Sequence, residues 1–194
     1  MIENIMQDRR CRDGLFLRSA KMCDAHSVIN IITHTHVSNQ RDENKGFLCH
    51  FPNVSEYEQR LKYGRYNQVA EYDKKVVGFL TAFSDEEAIE YLDKGFLSYE
   101  ESIIRSLLYD KFIWLDQLAV YPEKYYRKGI GTRLMKNVLE KASEDDYKLF
   151  YGTISIFPET NLASINFLTN LGFKVLHKVM LGSRKWLLVK YTST

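Results

Sequence analysis

The stretch YYRKGIGTRLMKNVLEKA, Tyr125 to Ala142, together with what flanks it, constrains the fold more than any other part of the chain. Ahead of it, Phe112 to Val120 reads as a strand closed by Pro122. Within it, Gly129 and Gly131 stand one residue apart among basic side chains, and Ile130, Leu134, Met135, Val138, Leu139 and Ala142 then recur at helical spacing. Behind it, Tyr147 to Ile156 reads as a strand again. Strand, glycine turn, helix and strand make one βαβ unit, so the two strands are expected to be parallel neighbours joined by a right-handed crossover.

The remaining segments predict antiparallel surroundings. Leu15 to Arg18 reads as a short strand, and Ala25 to Val37 as a helix capped by Asp24 with Val28, Ile29, Ile32 and Val37 on roughly one face. A polar loop follows over Ser38 to Asn44, and Ser55 with Glu58 resembles a capping box for a short helix ending at Gly64. Tyr66 to Tyr72 and Val76 to Phe83 read as a hairpin around Asp73, Lys74 and Lys75. Ser84 to Asp110 is helical in composition. Asn161 to Leu171 reads as a helix stopped by Gly172, before a last hairpin of Phe173 to Met180 and Lys185 to Tyr191. The expected class is α/β: a mixed, mostly antiparallel sheet of about six to seven strands flanked by helices, with one parallel βαβ unit.

A chain of 194 residues can bury one good core and is short for two ordinary domains, so one domain over 1–194 is expected, with 1–13 as a flexible arm and 84–110 as a helical insertion. Apolar residues at 45% exclude disorder, and no apolar run approaches the ~20 residues that span a bilayer. With 27 basic and 25 acidic residues, net +2, no global field draws the protein to nucleic acid or to a membrane, so any anion site must be local. Cys11, Cys23 and Cys49 are odd in number and form no disulfide framework, and the amino terminus lacks the apolar stretch of a secretory signal; a reducing cytoplasm is expected.

The glycine junction is that local site. The first amides of a helix lack intrahelical acceptors, and aligned peptide dipoles leave about half a positive charge there. Gly129 and Gly131 bare the backbone, Arg127, Lys128 and Arg133 add full charges, and Thr132 offers a hydroxyl. A phosphate or diphosphate is the natural guest. The stretch lacks the G-K-S/T ending of a nucleotide P-loop, and Leu134 stands where G-x-G-x-x-G needs its third glycine.

LAVYPEKYYRKGIGT, Leu118 to Thr132, resembles motif A of the GNAT superfamily of N-acetyltransferases: a strand, a proline-containing turn, then Q/R-x-x-G-x-G/A. Tyr126 takes the place usually held by Gln or Arg, with Arg127 one position later. Downstream, NLASINFLTNLGF, Asn161 to Phe173, resembles motif B, an Asn opening a helix that closes in L-G-F. The resemblance implies acetyl-CoA as cofactor. It implies main-chain contacts to the pantetheine arm from Leu118, Ala119 and Val120, a diphosphate cradle over Arg127, Lys128, Gly129, Ile130, Gly131 and Thr132, and a further contact from Asn161. The Leu118 amide is implied to face the thioester oxygen, where charge develops as an amine attacks.

An ammonium group must lose a proton before it attacks. Asp116 is the expected base: two residues before Leu118, it falls by strand alternation on the same face as Leu118 and Val120. The competing reading is a structurally paired carboxylate. Leu168 occupies the place where many family members carry a Tyr that reprotonates the thiolate; Tyr151, Tyr125 or Tyr126 could replace it, or the thiolate leaves unassisted, which a thiol pKa near ~8.5 makes tolerable. No metal site is expected, since His34 and His36 are two apart on a helix. Cys49 beside His50 has no supporting constellation.

Ser84 to Ser102 holds seven acids against one lysine, read as a solvated helix face or as a lid that attracts a cationic amine. The expected function is therefore transfer of acetyl from acetyl-CoA to a primary amine of a small molecule or peptide, by a monomer or a homodimer. The alternative is a catalytically weak CoA-binding regulatory module; a nucleotide sensor is a third reading.

Overall fold

The computed structural model of the protein describes residues 9–10, 14–39, 45–95, 97 and 100–193. Its strands are β1 (Arg9–Arg10), β2 (Leu15–Ser19), β3 (Gln68–Tyr72), β4 (Lys75–Ser84), β5 (Phe112–Val120), β6 (Leu149–Phe157), β7 (Lys174–Leu181) and β8 (Arg184–Thr192). Its helices are α1 (Ala25–Thr35), α2 (Val54–Tyr63), α3 (Asp85–Asp93), α4 (Glu101–Ser106), α5 (Ile130–Glu144) and α6 (Leu162–Asn170). One sheet takes the order β1-β2-β3-β4-β5-β6-β8-β7. Only β5 and β6 pair in parallel among these neighbours, as the βαβ pattern requires. The extra strand is β1, two residues within the expected amino-terminal arm; the rest of that arm, Cys11 and positions 40–44 of the expected polar loop lie outside the described residues.

Side-chain alternation divides the core between the two faces of the sheet. On one face α5 places Ile130, Leu134, Met135, Val138 and Ala142 against Leu80, Ala82 and Ile113, and α6 adds Ile165, Phe167 and Leu168. On the other, α1 and α2 cover Phe79 and Ala119, while α3 and α4 cover Phe83, Phe112 and Trp114. The sheet is thus buried on both sides, which accounts for the near-continuous burial of β4 and of the first half of β5.

Helix starts depart from their sequence-based assignments where a second partner competes. Asp24 stands at the start of α1 but makes no side-chain cap; its carboxylate instead binds Arg18 at 2.7 and 2.8 Å and accepts from the Lys21 amide at 2.8 Å. The cap of α2 is Asn53, which accepts from the Glu56 amide at 2.9 Å, two residues before the expected Ser55. A reciprocal capping box does occur at Ser84 and Glu87, opening α3.

Candidate active site

The parallel pairing of β5 with β6 covers only Phe112↔Leu149 to Leu115↔Gly152. Beyond it the strands part, β5 staying on β4 and β6 on β8. Gly152 sits at the fork, where an added Cβ would stand 3.2 Å from the Leu115 carbonyl oxygen. The Tyr121 amide donates to Val77 on the β4 side at 2.7 Å. Antiparallel alternation then turns the Ala119 peptide groups toward β4 and those of Leu118 and Val120 toward the gap.

A cleft of about 490 Å³ lies over this gap, and β5, the start of α5, α6 and the segment 45–48 line it. One end of it is formed by the glycine junction at the start of α5. The chain turns through left-handed backbone at Arg127 (φ 57°) and Gly129 (φ 72°), so the first amides of α5 are aimed outward. A Cβ at Gly129 would meet nothing within 4 Å, so backbone conformation and not space selects glycine there. At Gly131 a Cβ would lie 3.5 Å from Leu118 Cδ2 and 3.7 Å from Phe167 Cε2, so its absence keeps the floor of the cleft open. Arg127, Thr132, Tyr125 and Tyr126 line the same end. An extended phosphate ester fits this combination: anion donors at one end, a narrow strip with unpaired peptide groups at the other.

Asn161 caps α6, accepting from the Ser164 amide at 3.0 Å, while its Nδ2 donates to the Phe47 carbonyl at 2.9 Å. Both polar ends of this buried side chain are thereby engaged within the protein, and its effect on the cleft is to hold Phe47 in place. Asn161→Ala is expected to cost about 1 kcal/mol through the lost cap, a fall of roughly 2–4 °C in Tm for a chain of this size, read by thermal denaturation.

A smaller cleft of about 130 Å³ adjoins the first, sharing Phe47, Leu48, Leu118, Ser164 and Phe167 with it. It shares Cys49, His50, Glu100, Asp116 and Trp186 with a third cleft, of about 430 Å³. The third is walled by α2, the end of α3, residue 97 and the β7–β8 turn. The gap between β5 and β6 therefore separates two chambers.

Asp116 does not share a face with Leu118 and Val120. The β4–β5 register shifts between Thr81 and Ala82, opposite Gln117 and Leu115, so Asp116 is the extra residue of a β-bulge and alternation restarts after it. Its carboxylate turns to the α2 face, where it accepts from Arg60 Nη1 at 2.5 Å and from the Thr81 hydroxyl at 3.0 Å. Arg60 is 1% exposed, and it also binds Glu56 at 3.1 Å. Burial alone would lower the guanidinium pKa, but the charge of Asp116, then Tyr57 and Glu56, raises it overall, so Arg60 stays charged. Gln117, buried on that face, accepts from the Tyr57 hydroxyl at 3.1 Å.

The sequence reading missed Glu100. It precedes α4 in the acidic segment and lines both the middle and the third cleft. Burial, and then the charge of Asp116, push its carboxyl up to about 7. The more prominent acids of that segment stand elsewhere: Glu87 is spent in the capping box and on the Arg65 amide, and Glu90 binds Lys94 at 2.5 Å.

Leu168 lines the middle cleft. Of the tyrosines considered in its stead, Tyr125 and Tyr126 lie near the start of α5 in the first cleft, and Tyr151 is buried against Phe112 and Trp114 in the core. Burial raises the pKa of the Cys49 thiol, which suits a packed thiol and not a nucleophile. His34 shares a hydrogen bond with the Tyr121 hydroxyl, and His36 with Ser38. Among the described residues no group of three or more His, Cys, Asp or Glu could hold a metal ion, and no helix is long and apolar enough to cross a membrane.

Comparison with curated proteins finds no match to the sequence. Solved structures share the fold. Arabidopsis thaliana Naa50, in complex with the bisubstrate analogue CoA-Ac-MVNAL, superposes with a TM-score of 0.64 at 16% identity, over 93% of this chain and 99% of its own. Drosophila melanogaster polyamine N-acetyltransferase gives 0.64 at 13%, over 92% and 100%. Salmonella typhimurium yncA with its cofactor acetyl-CoA gives 0.62 at 17%, over 92% and 93%. The model of the acetyltransferase (GNAT) family matches residues 32–173, from within α1 through the whole βαβ unit to the end of the second motif, and the chain belongs to that family.

Proposed function

We propose that the protein is an N-acyltransferase that moves acetyl from acetyl-CoA directly to a primary amine of a small molecule or a peptide. The observation that carries this reading is the junction of an anion-binding helix start with a strand gap that opens on a second chamber. We take the chain as one such domain, with α3 and α4 as its insertion. When bound, acetyl-CoA supplies an activated acyl carbon and a thiolate leaving group. The amides of Ile130, Gly131 and Thr132 hold the diphosphate, reinforced by Arg127 and Lys128, and Gly129 sets their direction. Leu118 and Val120 give peptide groups to the pantetheine arm, and Ala119 pins the strand to Phe79 on β4. The Leu118 N–H stabilises the charge that grows on the thioester oxygen. Asn161 acts through Phe47.

The acceptor enters from the third cleft, on the face opposite α5. Asp116 holds Arg60 there. Neighbours that carry a peptide analogue or act on polyamines support both acceptor types. Cys23 and Cys49 are free thiols, which fits a cytoplasmic setting.

Leu168 favours a second reading, a CoA-binding module with little turnover, because none of the three tyrosines reaches the middle cleft. The test is release of free CoA from acetyl-CoA over a panel of polyamines, lysine-containing peptides and peptides with free amino termini. Amine-dependent release is expected. A rise in Tm with acetyl-CoA but no release with any amine would replace the enzyme by the module.

A further inference from the structure

The proposed transfer needs a group that takes a proton from the incoming ammonium, and Asp116 is engaged by Arg60 and Thr81. The insertion between β4 and β5 supplies another carboxylate. Glu100 stands where the middle and third clefts meet, with Leu118 on the wall of one and Arg60 on the wall of the other. Its main chain is anchored by α4: the Ile103 and Ile104 amides both donate to the Glu100 carbonyl at 3.0 Å, and those two side chains are buried against the cluster of Phe112 and Trp114. The α4 turn thus ties the Glu100 main chain to the strand that borders the gap.

We propose that Glu100 is the catalytic base, taking a proton from the ammonium of the acceptor directly or through one water at the junction of the two clefts. The assignment rests on the N-acyltransferase reading above. Of the two protons the nitrogen must lose, the first goes to the Glu100 carboxylate and from it to solvent. The freed lone pair forms the C–N bond, the C–S bond breaks with its electron pair on sulfur, and the second proton passes to that sulfur or to water.

The surroundings suit the task. From β5 Asp116 faces this corner; from α2 come Arg60 and Glu56; Cys49 and His50 precede α2; Lys94 follows α3; Arg184 opens β8. Several of these charges are bonded to one another: Arg60 to Asp116 and Glu56, His50 to Glu56, Lys94 to Glu90, and Arg184 to Glu159. Burial and the fixed charge of Asp116 keep the Glu100 proton bound to about pH 7, so near neutrality the group is both partly ionised and basic enough to accept one. This also explains the insertion in chemical terms: its visible acids, Glu86, Glu87 and Glu90, need play no part, because one glutamate between its two helices lines the clefts.

The test compares wild type, Glu100→Gln and Glu100→Asp. It reads kcat/KM against pH for the best amine of the panel, acetyl-CoA affinity by calorimetry, and glutamate carboxyl titration of the free protein by 13C NMR. Glu100→Gln should lose about 10²–10⁴-fold in kcat/KM, lose the rising limb near pH 7, and keep its affinity for acetyl-CoA. Glu100→Asp should recover part of the rate with the limb present. In the free wild-type protein one carboxyl should titrate near pH 7 and be missing from Glu100→Gln. A Glu100→Gln variant with the wild-type rate and limb overturns the proposal and leaves the acyltransferase reading standing. A free protein in which no glutamate moves near pH 7 overturns it without any amine. A wild type that neither binds acetyl-CoA nor releases CoA removes the acyltransferase reading, and the base assignment with it.

Discussion

Gly131→Glu is expected to abolish acetyl-CoA binding while leaving the protein folded. The position is the second residue of α5, and an added Cβ makes only ordinary contacts, 3.5 Å from Leu118 and 3.7 Å from Phe167. In a helix, replacing glycine gains about 0.5–1 kcal/mol of backbone entropy, and an acid in the first turn is favourable to the dipole. Stability should therefore hold or rise. The remainder of the side chain must lie in the cleft between β5 and α6, and its charge competes for the amides that the diphosphate needs. A loss of at least about 100-fold in affinity, about 2.8 kcal/mol at 1.4 kcal/mol per decade, is expected. Calorimetry and the Tm rise with acetyl-CoA read it; an unchanged dissociation constant would mean the diphosphate binds somewhere else. Gly129 offers no such separation, because its φ of 72° makes any side chain a strain on the fold.

Asp116→Ala should produce the largest loss of stability. The variant leaves the Arg60 guanidinium, 1% exposed, with Glu56 but without its closest carboxylate, and it cannot regain water without opening α2 from the sheet. Breaking a buried pair by removing one partner costs about 3–5 kcal/mol. For a chain of this length that is a fall of roughly 6–20 °C in Tm. The double variant Asp116→Leu with Arg60→Met should recover much of it, since an apolar pair of similar volume escapes the desolvation penalty. Chemical denaturation of the three proteins decides. A single variant that loses less than about 1 kcal/mol would behave as an exposed pair does, against the burial described here.

The two proposals meet in one corner of the molecule, and their effects can be told apart. Glu100→Gln is a loss of rate at constant fold; Asp116→Ala is first a loss of fold. Both residues line the third cleft and Gly131 lines the first, so the variants also test whether the two chambers serve separate substrates.

The βαβ unit was legible because its signals are local and redundant. Apolar spacing marks β5 and α5 independently, Pro122 closes the strand, and the glycine pair admits only a helix entry with bare backbone. The tight turn into α5 followed from the same residues, since the left-handed backbone at Gly129 needs no distant partner. Capping was less legible. Ser55 and Asn53 both satisfy the local rule for α2, and the observed fold uses Asn53. For Asp24 the outcome depended on Arg18, whose guanidinium claims the carboxylate.

What the sequence by itself determined is the set of elements and the glycine turn that opens α5, because hydrophobic period and glycine backbone freedom are properties of neighbours along the chain. Only the tertiary structure decided how the carboxylates that line the third cleft are engaged. The bulge opposite Thr81 turned Asp116 toward Arg60, and the packing of Ile103 and Ile104 carried Glu100 from a solvated-looking acidic run into the cleft. Both outcomes rest on contacts between segments far apart in the chain, where burial and charge act through space and leave no period for a sequence to display.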